Sequence, residues 1–109
     1  MIELKCNELG FMAEPSYTAS FYDILQKYDG LFDGAEKVVV EIEETPYYAL
    51  QFKREKWFVV SDDRKYVTIK FTAHKAYDYH GKVESIPSAL DIHRDLHSLL
   101  KRAVQMFNE

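Results

Sequence analysis

The two residues best spaced for chemistry are His93 and His97, four apart in His93-Arg94-Asp95-Leu96-His97. On a helix such a pair points one way and can share a transition metal. A third donor is needed, and His74 and His80 upstream, with Asp95 close by, are the candidates. The helical wheel favours a quieter role. With the apolar stripe centred on Leu96, His93 falls about 60° and His97 about 100° to one side. That is the border where an imidazole covers core and keeps one nitrogen in water. The glutamate of the zinc-protease arrangement His-Glu-x-x-His is missing. The expectation is therefore no metal and no cofactor, with the four histidines kept as an alternative ligand or enzyme site.

Asp63-Arg64-Lys65 fits the Asp/Glu-x-Lys fragment of metal-dependent nucleases, with Glu43 or Glu44 as a second carboxylate for Mg²⁺. It falls in a polar turn, where charged residues are usually just solvated. Cys6 alternates with Ile2 and Leu4 and has no histidine beside it in sequence, so it reads as a small buried hydrophobe. No serine stands in Gly-x-Ser-x-Gly. The four glycines, Gly10, Gly30, Gly34 and Gly81, never pair as Gly-x-Gly, which excludes a P-loop or Rossmann turn.

The aromatic residues are more informative. There are 8 Tyr, 7 Phe and 1 Trp. Most of the phenylalanines and the tryptophan fall on inward positions, but several tyrosines do not. Tyr47 and Tyr66 share the expected wet sheet face with Glu41, Glu43, Gln51, Thr68 and Lys70, and Tyr77 and Tyr79 flank Asp78 in a loop. Exposed tyrosines make good contact residues because they offer rigid area and one hydroxyl. The competing explanation is ordinary cross-strand packing on an outer face.

The elements that must position these residues follow from periodicity. Ile2 to Cys6 alternates as a strand. Pro15 opens a helix whose stripe is Tyr17, Phe21, Ile24, Leu25 and Tyr28, and Asp29-Gly30 stops it. From Lys37 the period becomes two. Val38, Val40 and Ile42 share one face, and Val39, Glu41 and Glu43 share the other. Thr45-Pro46 is read as a break before a separate strand, Tyr47–Phe52. Further strands are expected at Trp57–Ser61 and Tyr66–Thr72, and a short edge strand at Val83–Ile86. Ser88 and Asp91 form a capping box for a last helix with the stripe Ile92, Leu96, Leu99, Leu100, Ala103, Val104 and Phe107. Lys101 and Arg102 are placed to favour its C-terminal dipole. The expected architecture is two-layer α+β: an antiparallel four- to five-stranded sheet with two helices on one face, in the order β-α-β-β-β-β-α.

The 109 residues fit one domain spanning 1–109. The opening Met1-Ile2-Glu3-Leu4-Lys5 lacks the basic and apolar regions of an export signal, and no apolar run is long enough to cross a membrane. A reducing cytoplasm is the expected location. Net charge is −4, unevenly placed: residues 1–55 hold 11 acids against 5 bases, and residues 56–109 hold 7 against 9. No dense basic stripe is present to bind nucleic acid directly. These features suggest a small acidic protein-binding module, of the inhibitor or immunity type, that occupies a basic or nucleic-acid-binding surface of a partner protein. Its contact residues would be Glu41, Glu43, Glu44, Tyr47, Tyr66, Lys70, Tyr77 and Tyr79. The other readings are the histidine-based site and a structural subunit that pairs with copies of itself.

Overall fold

Among the described residues, the alternating and helical patterns generate five strands and two main helices: β1 (Ile2–Asn7), α1 (Pro15–Tyr28), β2 (Lys37–Tyr48), β3 (Lys56–Val60), β4 (Tyr66–Tyr77), β5 (Val83–Ser85) and α2 (Ala89–Phe107). The structure, a computed structural model, describes residues 2–7, 9–48, 56–77 and 80–109; for 45–48, 74–77 and 83–85 it describes the backbone alone. The chain is α+β, as the periodicity predicts.

The sheet is mixed where an antiparallel meander is expected. Its order is β1-β2-β4-β3, with β5 also paired to β4. β1 and β4 both run parallel to β2, and β3 and β5 lie antiparallel, both against β4. The difference arises at Thr45-Pro46, which does not break the strand. β2 runs through it to Tyr48, in register with β4 from Lys37↔Tyr66 to Tyr48↔Tyr77. Beyond Glu43 no described strand pairs with the other edge of β2, so proline's missing N–H is tolerable there. The separate strand expected at Tyr47–Phe52 thus loses its start to β2, and its remainder lies outside the described residues. Residues 73–77, ambiguous by pattern, lengthen β4. Two paired twelve-residue strands span about 40 Å at ~3.3 Å per residue, which accounts for much of the molecule's 49 Å long axis.

One face of this sheet carries the core. Val38, Val40 and Ile42 of β2 and Val67, Ile69 and Phe71 of β4 are buried together with Phe21, Ile24, Leu25 and Tyr28 of α1 and Ile92, Leu96, Leu99, Leu100, Ala103 and Phe107 of α2. Both helical stripes therefore pack as their spacing predicts. Several buried residues come from outside any expected element, among them Phe32 and, in a single 3-10 turn (Phe11–Ala13) before α1, Phe11 and Met12. Cys6 is not buried. It sits at the far end of the edge strand and is exposed, though partial desolvation raises its thiol pKa, away from thiolate chemistry.

The capping box of α2 is present: Ser88 Oγ accepts from Asp91 N–H, and Asp91 accepts from Ser88 N–H. At the other end, Lys101 and Arg102 lie short of the last turn, which has no basic residue. The cation there is Arg64 of the β3–β4 turn, whose guanidinium donates to the carbonyls of Phe107 and Glu109. Arg64 reaches them from a left-handed backbone, φ 60°.

The box has a pH signature. Its hydrogen bonds with the Ser88 side chain and backbone hold the Asp91 carboxyl below the usual carboxylate range. A carboxyl depressed in the folded state adds stability above its unfolded pKa and loses it as pH falls through the folded value. Urea denaturation of wild type and Asp91→Asn across acid to neutral pH is expected to show wild type ahead at neutral pH and the gap closing on acidification. A gap independent of pH would contradict this.

Candidate functional site

The face opposite the helices is set by strand register. Its rungs are Lys37 with Tyr66; Glu3, Val39, Thr68 and Val59; Lys5, Glu41, Lys70 and Trp57; and Asn7, Glu43 and Thr72. Three large apolar side chains gather toward its β3 end: Trp57 is 40% exposed, Val59 55% and Tyr66 50%. The outward Trp57 overturns the expectation that the tryptophan is core. The reason is parity: Phe58, one residue on, pairs with inward Ile69 and takes the core side. Val39 and Thr72, expected on the wet side, occupy this face yet are buried, so it is partly shielded.

Charges on this face alternate. Among the described strand residues it carries Glu3, Glu41 and Glu43 against Lys5, Lys37 and Lys70. Lys70 lies 3.7 Å from Glu43, and Lys37 3.8 Å from Glu3. Tyr66 donates its hydroxyl to Glu36 at 3.2 Å, and the charge of Glu36 raises the phenol's pKa and keeps it a neutral donor. Glu41, Glu43, Tyr66 and Lys70 thus share this face as the alternation predicts, with Tyr66 and Glu43 at its opposite ends.

Glu44 is not with them. One position further along β2, it pairs with inward Ala73 and turns to the helix side. There a single carboxylate oxygen accepts the N–H of Met12 at 2.8 Å and the N–H of Gly10. It anchors the 3-10 turn. Tyr47 and Tyr77 lie in β2 and β4, opposite Ala76 and Tyr48 respectively, with their side chains outside the described residues. Tyr79 lies wholly outside them.

The histidines separate into different settings. His93 and His97 stack along the α1 side of α2, ring centres 6.3 Å apart. His93 Nε2 lies 3.5 Å from Asp23 of α1, and His97 Nδ1 is 3.1 Å from the Tyr28 hydroxyl. They bridge the two helices at their solvent border, where the wheel places them. His80 is an exposed residue in the bend before β5, and His74 is in β4 with its side chain outside the described residues. Among the described residues no three His, Cys, Asp or Glu side chains converge as a metal site.

The nuclease-like tripeptide is dispersed as well. Asp63 accepts from the Ser61 hydroxyl at 2.7 Å and the Lys65 N–H at 3.0 Å, closing the turn. These bonds lower its carboxyl pKa. Arg64 serves the end of α2, and Lys65 faces Glu36. Its two proposed partner carboxylates, Glu43 and Glu44, point to opposite faces of the sheet.

A polar contact that sequence reasoning missed lies under the sheet. Lys56, on the inner face opposite Phe71, reaches Asp95 of α2 at 2.8 Å with its ammonium 5.3 Å from the Phe71 ring centre. The alternation of β3 carries its signal, since Lys56, Phe58 and Val60 share one parity. In comparisons with known proteins, no family model, no curated protein and no solved structure matches the chain.

Proposed function

We propose that the protein is a binding module for another protein and that the β3 end of the outer sheet face makes the contact. The observation that carries this reading is the group formed by Trp57, Val59 and Tyr66, each 40% exposed or more, on adjacent strands of the face turned away from the core. Large aromatics that are half solvated before binding supply most of the energy when an interface closes over them. Glu41, Glu43 and Lys70 provide a polar border that orients a partner without dominating affinity.

A basic, nucleic-acid-binding partner draws its support from the net charge of −4 rather than from this face, whose charges alternate. The apolar version of the reading is therefore the stronger one, and the role follows as occupation of a partner's surface in the manner of an inhibitor or adaptor.

The test is affinity capture of the partner from the native host, then titration. Trp57→Ala and Tyr66→Ala are each expected to weaken binding roughly thirty-fold, since an anchor of this kind contributes about 2 kcal/mol, and the double variant by several hundred-fold. The thermal midpoint should change little, because neither side chain is buried. Charge reversal at Glu41 and Glu43 should change salt dependence more than affinity. Unchanged binding by the double aromatic variant rejects this face as the site.

A further inference from the structure

β1 is paired on one side only, by β2, and among the described residues no strand lies along its other edge. An open edge presents a row of N–H and C=O groups ready to pair with another strand. Natural edges are blunted by proline, bulges or charged side chains; β1 has a regular register with neither proline nor bulge, and Glu3 and Lys5 are its charged residues. Its two charges, Glu3 and Lys5, are opposite in sign and both exposed on the outer face. Ile2, Leu4 and Cys6 line the other face.

We propose that two copies of the chain join through β1, antiparallel, on a two-fold axis at Leu4. This sets Glu3 opposite Lys5 of the second copy and Lys5 opposite its Glu3, while Leu4 meets Leu4 and Ile2 meets Cys6. Cross-strand opposite charges favour such a pair and like charges oppose it. Moving the axis to Glu3 or Lys5, the nearest registers that keep each face on its own side, places Glu3 against Glu3 or Lys5 against Lys5. The charge order thus selects a second copy and a single register.

The ground beneath the edge also suits this occupant. Between β1 and α1 runs an open cleft of about 410 Å³, lined by Ile2, Leu4, Tyr22, Leu25, Gln26 and Asp29. Tyr22 stands 65% exposed at its side. A second copy lays its own Ile2, Leu4 and Cys6 row beside this cleft and brings its α1 to the same side of the joined sheet. The edge used is at the opposite end of the strand order from β3, so the pairing is independent of the binding face proposed above.

The test is the solution mass of the whole chain, by light scattering and sedimentation across a concentration series. A concentration-dependent rise from 12.8 kDa to twice that mass is expected. Glu3→Lys and Lys5→Glu each create two like-charge contacts and are expected to weaken association roughly tenfold, and the double swap to restore it. Lys5→Glu keeps the Glu3–Lys37 contact, so weakening by both single variants is not a consequence of losing that pair. Opposed residues of an antiparallel pair have Cα atoms about 4.5–5.5 Å apart, within disulfide reach. Leu4→Cys in a Cys6→Ser background is accordingly expected to form a covalent dimer under mild oxidation, and Glu3→Cys in that background is not. A monomer at millimolar concentration overturns the proposal. So does a dimer indifferent to both single reversals, or cross-linking through position 3 instead of 4.

Discussion

Met12→Ala is expected to lower stability by about 2–5 kcal/mol, the range for emptying a fully enclosed methionine site. That is a large share of the roughly 5–15 kcal/mol that holds a domain of this size folded. Met12 has no exposed surface although it belongs to a single turn of 3-10 helix between β1 and α1. It joins the one continuous core with Phe11, whose ring packs edge-on against Tyr17 of α1. Urea denaturation should show a lower midpoint with an unchanged slope. Met106→Ala is the control: that side chain is 49% exposed and its loss should fall within about 0.5 kcal/mol. A Met12→Ala cost under about 1 kcal/mol would mean the turn is not docked on the core.

Met12 also shows where the sequence stops being readable. Both helices were legible because three- and four-residue spacing survives in one segment: Phe21, Ile24 and Leu25, or Leu96, Leu99 and Leu100, point one way whatever surrounds them. The inner faces of β2 and β4 were legible for the same reason at period two. Phe11 and Met12 carry no period, so nothing local distinguishes a docked turn from a solvated loop. The parallel pairing of β2 with β4 was hidden by Pro46, whose penalty depends on which edge has a neighbour, a tertiary fact. The candidate site divides along the same line. The shared face of Tyr66, Glu41, Glu43 and Lys70 is legible by alternation, whereas the place of Trp57 on it is not, because a tryptophan beside three apolar residues reads as core until its register with Lys70 is known.

Glu44→Ala is expected to cost about 2–3 kcal/mol, because hydrogen bonds to a charged group contribute about 1.5–3 kcal/mol and the partly buried Met12 N–H would lose its acceptor. One oxygen of Glu44 serves both Gly10 and Met12. Glu44→Gln retains such an oxygen at the same reach and loses only the charge, so its cost should be clearly smaller. Glu44→Asp keeps the charge but is one methylene shorter and should behave like alanine. That order, glutamine mild and aspartate severe, separates an anchoring bond from general surface electrostatics, which would rank the two the other way. Amide exchange at Gly10 and Met12 should accelerate in the alanine and aspartate variants while the α2 core amides change only through global stability. Combining Glu44→Ala with Met12→Ala should cost less than the sum, since both release the same turn. The distinction governs how the binding face is probed: reversing Glu41 and Glu43 alters a surface, whereas reversing Glu44 with them loosens the fold and would imitate a loss of affinity. A strictly additive pair, or glutamine as damaging as alanine, would remove Glu44 from its role as the anchor of the turn.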